Sequence, residues 1–178
     1  TSKGRFYSTI PGTLHVRPMT GNEELILATP RIVKSGQAVD KIFEKCIQEP
    51  IDTLELLSVD RIYLLIYLRG ISFTPAYNVD IKCTNCDNTF ETTIDLNGLM
   101  IEDCPADFGP GSLVGKLPTT GFNFQYRLAT GRDDQEVSNR REKKLQGFHS
   151  TWEDDTLLWR TALLLDNIEG VRDKEELS

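Results

Sequence analysis

The chain has 178 residues, of which 39% are hydrophobic and 26% charged, and its formal net charge is −7. That composition is ordinary for a globular protein and long enough to bury a core, which excludes wholesale disorder. The acidic balance argues against nucleic acid and against an anionic membrane surface, since both select clustered Lys and Arg.

The opening, Gly4 to Met19, is apolar at Phe6, Tyr7, Ile10, Leu14 and Val16 around Pro11-Gly12, and reads as extended chain with a β-turn. Thr20 caps a helix over 21–29 with Glu23 and Glu24 in its first turn, and Pro30 stops it. Between Ser35 and Glu49, Val39, Ile42, Phe43, Cys46 and Ile47 fall on one face of a second helix, ended by Pro50. Ser58 caps a third helix over 59–70, apolar on most sides and closed by Gly70, which predicts a central buried element. Then the period changes. Segments 71–83 and 89–96 are rich in β-branched and aromatic residues and join through Cys83-Thr84-Asn85-Cys86-Asp87-Asn88 as a hairpin. Residues 103–112 are a Pro/Gly loop, and 113–130 form two strands around a Thr-Gly turn, with Phe122, Phe124, Tyr126 and Leu128 alternating. Asp133 or Asp134 starts a charged helix running to about Leu145. Thr151 caps the last helix, with Asp154 completing a capping box and an apolar set of Trp152, Leu157, Leu158, Ala162, Leu164 and Leu165. The predicted class is α+β: a helical body with an inserted small antiparallel β-sheet whose hairpin carries the C-x-x-C turn. Residues 1–70 are the N-terminal arm and helices, 71–130 the β insertion and 131–178 the C-terminal helices, in one integrated domain.

Cys83 and Cys86 stand at a hairpin turn, where a zinc knuckle would stand. No second C-x-x-C or H-x-x-H follows, so the only further thiols are Cys104 and Cys46. Cys46 lies in an apolar helical stripe, where a free cysteine serves as a small hydrophobe. The preferred reading is a ribbon-shaped hairpin that holds by ordinary packing with no cofactor; a structural zinc on Cys83, Cys86, Cys104 and Cys46 is the alternative. His15 and His149 have no nearby Cys and no helical His partner, and read as surface or structural residues. Phe108 to Lys116 departs from phosphate-loop spacing and reads as a turn. Phe122, Phe124 and Tyr126 alternate as a stacking platform would, but a strand with one face in a core alternates equally. No paired carboxylates of defined geometry, no G-x-S-x-G and no H-E-x-x-H occur. Four cysteines do not suggest a disulfide scaffold, the start has no secretory apolar stretch, and Ile62 to Leu68 is far short of a membrane span. A soluble protein of a reducing cytoplasm is expected. Without an initial Met and ending at "KEELS", the chain reads as a fragment of a longer product.

The run "SKGRFY", "VRPMTGNEELILATP", "VKSGQAVDKIFEKCI", "DTLELLSVDRIYLLIYLRG", "YNVDIKCTNCDNTFETTIDL" and "LPTTGFNFQYRLAT", in that order over most of the chain, resembles the baseplate hub assembly proteins of T-even-type contractile-tailed bacteriophages. The resemblance implies a non-enzymatic late protein that builds or completes the tail baseplate hub. It would bind other tail and hub proteins in the host cytoplasm during assembly and reside in the virion tail baseplate. It transfers no catalytic residues. The competing readings are a zinc-ribbon-containing nucleic-acid-binding or regulatory protein and a hydrolytic enzyme of the phage tail. Within the hub reading the hairpin is a recognition arm, with Thr84, Asn85, Asp87 and Asn88 at its polar tip. Trp152 and Trp159, seven apart on the last helix, are interface anchors if they are not core.

Overall fold

A computed structural model describes residues 1–147 and 154–169. It is an α+β structure of six helices and two small antiparallel sheets. The chain opens with an arm, then α1 (Gly21–Leu27), α2 (Pro30–Lys34), α3 (Ala38–Cys46) and α4 (Ser58–Ser72). Strands β1 (Ala76–Lys82) and β2 (Thr89–Asp95) pair only with each other; β3 (Val114–Lys116) and β4 (Asn123–Tyr126) follow. Helices α5 (Gly131–Gly147) and α6 (Thr156–Leu164) lead into β5 (Leu165–Ile168), which returns to β4 and gives the order β3-β4-β5.

The core sits under the first four helices. Ile42, Phe43, Cys46 and Ile47 of the α3 stripe are buried against Ile26, Ala38, Leu56, Leu64 and Leu68, and the arm residues Tyr7, Ile10, Leu14 and Val16 close its side. A helix with apolar residues at this spacing can only hide them by facing its neighbours, so α3 becomes the centre. Pro30 does not merely stop α1. It takes the first position of α2, where its missing N–H costs nothing.

Two ion pairs fix the helix starts. Arg17 reaches the buried Glu23 carboxylate at 3.1 and 3.2 Å, and Glu23 also accepts the Thr20 N–H at 2.8 Å and the Thr20 hydroxyl at 2.7 Å. Arg127 grips the buried Asp133 at 2.6 and 2.7 Å, and Asp133 accepts the Thr130 N–H at 2.8 Å and the Thr130 hydroxyl at 3.0 Å. The segments Arg17-Pro-Met-Thr20-Gly-Asn-Glu23 and Arg127-Leu-Ala-Thr130-Gly-Arg-Asp133 are thus one device used twice, at the starts of α1 and α5. Arg17 and the Thr20 N–H draw the Glu23 pKa down to about 2. At Asp133 burial pushes upward, but Arg127 and Thr130 outweigh it and leave the pKa lowered to about 2.

Arm and body are bolted through α4. Asp60 accepts the Ser2 N–H at 2.9 Å, the Ser2 hydroxyl and the Tyr7 hydroxyl at 2.8 Å, while the Leu57 N–H donates to the Tyr7 oxygen at 2.8 Å. Burial, assisted by Asp60, raises the Tyr7 pKa well above that of a free phenol. Arg61 lies inside, paired with Asp40, donating to the Thr53 carbonyl at 2.8 Å and stacked 5.2 Å from the Phe43 ring centre.

Three expectations change. Helix α4 is not buried all round: Leu64 and Leu68 are buried, whereas Val59 and Ile62 are 60% and 61% exposed. Ser58 is the first helical residue and not its cap; its hydroxyl donates to Asp134 at 2.6 Å, and the helix runs past Gly70 to Ser72. The last helix leaves Asp154 and Asp155 outside it and stops at Leu164, because Leu165 to Ile168 find backbone partners on β4. Its buried residues are Ala162 and Leu163, while Leu157 and Leu158 face solvent. The expected Thr151 cap and Trp152 lie outside the described residues.

Candidate docking face and hairpin tip

The hairpin stands in solvent. Its ladder runs from Ala76 opposite Asp95 to Lys82 opposite Thr89, and only Val79 and Thr92 near its middle are half-buried. Strand alternation puts Tyr77, Val79, Ile81, Phe90, Thr92 and Ile94 on one face. Four of these, Tyr77, Ile81, Phe90 and Ile94, are exposed. A two-stranded ribbon with an exposed apolar face is marginal in water.

The outer side of α4 is a second apolar surface. Val59, Ile62, Tyr63, Ile66 and Tyr67 form one wall of a groove of about 530 Å³, and Leu96, Leu99, Met100 and Ile101 form the other. Met100 is 89% exposed. Near the end of α4 Arg69 stacks on Phe73 at 4.7 Å and Tyr77 at 5.7 Å, tying helix to hairpin. Periodicity marked these α4 positions as core; the cue to their real place is that an element apolar on all sides needs neighbours on all sides. Among the described residues the chain supplies them on one side only.

At the hairpin tip the Cys83 N–H donates to the Asn88 carbonyl at 2.8 Å and the Asp87 N–H to the Cys83 carbonyl at 3.0 Å. Asp87 adopts a left-handed φ of 57°, which turns the chain back directly after the second cysteine. The N–H groups of Asn85 and Cys86, and the Cys86 thiol, all donate to the Cys83 sulfur and hold its pKa below the ordinary cysteine value. Thr84, Asn85, Cys86, Asp87 and Asn88 are exposed, and Lys82 pairs with Asp87 at 2.9 Å.

The four thiols are not brought together. Cys46 is fully buried in the core, where desolvation raises its pKa. Cys104 is half-buried beside the arm, its N–H donating to the Thr1 carbonyl at 2.9 Å. Among the described residues no three His, Cys, Asp or Glu side chains gather as a metal site. His15 pairs with Glu49 at 2.6 Å on the surface. Trp159 is half-buried under Arg140, 4.0 Å from its guanidinium, so it packs α6 on α5. Gly115 lies in β3 beneath the Phe124 ring, which accounts for this glycine by packing alone. No helix among the described residues is long and apolar enough to cross a membrane.

A family model described as T4 bacteriophage base plate protein matches residues 5–177. No curated protein and no solved structure matches the chain.

Proposed function

The chain belongs to the T4 bacteriophage base plate protein family, and from that premise we propose that it is a non-enzymatic part of the baseplate hub of a contractile tail. It works by offering surfaces to neighbouring tail proteins, first in the host cytoplasm and then in the finished baseplate. The observation that carries the reading is the apolar groove between α4 and Leu96–Ile101. A chain that leaves Ile62 61% and Met100 89% exposed on the two facing walls of one groove has a surface meant for burial against protein. Groove and helix geometry favour an amphipathic helix of a neighbouring baseplate protein as the occupant, with apolar anchors three and four residues apart. Glu102 at the rim and the net charge of −7 select basic residues beside those anchors.

Co-purification of the tagged chain from infected cells tests this. Baseplate proteins are expected with the wild type, and Ile62→Glu is expected to lose them while its melting temperature stays put. A variant that folds and keeps every partner removes the groove from the account. Partners outside the tail would remove the hub.

A further inference from the structure

The hairpin tip holds half of a metal site. A tetrahedral zinc takes four thiolate or imidazole ligands when its role is structural. Cys83 and Cys86 supply two, three residues apart on one tight turn, with Cys83 half-buried and Cys86 exposed. The turn is closed by the Cys83–Asn88 and Asp87–Cys83 backbone bonds and by the left-handed Asp87. It is therefore a fixed knuckle and not two cysteines near each other by chance.

The other half does not come from the described part of the same chain. Cys46 is in the core, Cys104 is placed beside the arm, and no third ligand-type side chain gathers at the tip. The ribbon carries the tip clear of the body, with Thr84 to Asn88 exposed, so nothing described blocks approach from outside. A second copy meets the need with the fewest assumptions. A two-fold axis through the metal turns two thiolates into four, and an isologous contact needs only the surface that each copy already has. We propose that Cys83 and Cys86 form an intermolecular zinc hook, in which two hairpin tips clasp one zinc ion and join two copies of this chain. The apolar ribbon faces of Tyr77, Ile81, Phe90 and Ile94 lie along the same arms, where a dimer would bring them within reach of cover.

The test uses the full chain, kept reduced, titrated with zinc alone while light scattering reads its mass. The expected result is a doubling of mass that saturates at one zinc for every two chains and reverses with a chelator. Cobalt in place of zinc should give the visible absorption of a tetrahedral thiolate site. Cys83→Ser and Cys86→Ser should each abolish dimer and colour, and Cys104→Ser should leave both. Circular dichroism separates lost binding from lost folding, and each variant is expected to keep the wild-type spectrum because the hairpin is outside the core. Zinc bound one to a monomer, a dimer indifferent to chelator, or no zinc bound at all would each overturn the proposal. These outcomes are independent of the groove on α4, so the hook can fail while the hub assignment stands.

Discussion

Glu23 and Asp133 are acids kept charged where water is scarce, each because a guanidinium and a threonine surround it. Both carboxyl groups titrate at about 2 in the folded chain, below the roughly 4 of an unfolded one. The unfolded state therefore binds protons first on acidification. Their contribution is whole above pH about 4 and is lost as pH falls toward about 2. Urea midpoints measured at descending pH should show that decline, and it should shrink in Glu23→Gln. Arg127→Ala leaves Asp133 buried without its guanidinium. A loss of about 2–3 kcal/mol is expected, below the range for a fully buried pair because Arg127 is partly exposed. At Gly131 an added methyl would stand 2.7 Å from an Arg61 nitrogen. Arg61 cannot yield, being tied to Asp40 and the Thr53 carbonyl. Gly131→Ala should thus cost about 2–3 kcal/mol in chemical denaturation, where an exposed helix start would gain from alanine.

At the scale of elements, α3 is the opposite of α4 and the ribbon, though sequence patterns make them look alike. All three carry apolar residues in quantity, yet α3 hides its stripe while α4 and β1–β2 leave much of theirs in solvent. Among the described residues the ribbon makes no sheet contact beyond itself. Replacing 76–95 with a short Gly-Ser link should leave amide exchange in α3 unchanged. If protection of Phe43 and Cys46 collapses, the ribbon belongs to the core after all. Strand β5 shows the reverse case. Leu165 continues the apolar set of α6 in sequence, but the open edge of β4 offers hydrogen bonds that a further helical turn does not.

For the molecule as a whole, long-range bonds stitch the first and last thirds. The Leu57–Thr130 bridge, the Ser58 N–H to the Ala129 carbonyl at 2.8 Å and the Gly131 N–H to the Leu56 carbonyl at 3.0 Å join the starts of α4 and α5. The Arg127 guanidinium also donates to the Leu163 carbonyl at 3.0 Å, drawing in α6. Such stitching predicts one cooperative unfolding transition, with fluorescence and far-ultraviolet dichroism changing together. Two separated transitions would mean that the C-terminal helices form a unit of their own.

Local rules were sufficient for the α3 face, the hairpin and its turn, the Thr-Gly turn between β3 and β4 and the cap at Thr20, because neighbours in sequence decide them. The doubled Arg-x-x-Thr-Gly-x-acid device was also there to be read, in Arg17–Glu23 and Arg127–Asp133, though seven residues make a faint repeat. What only the tertiary structure decided was which apolar surface stays bare. Periodicity reports that α4 is greasy on most sides, but whether a side is covered depends on residues far along the chain, and the described ones cover one side only. Likewise the spacing of Cys83 and Cys86 announces a knuckle, while the distance of Cys46 and Cys104 from it follows from how the chain packs. Burial is a property of the assembled body, and no segment carries it alone.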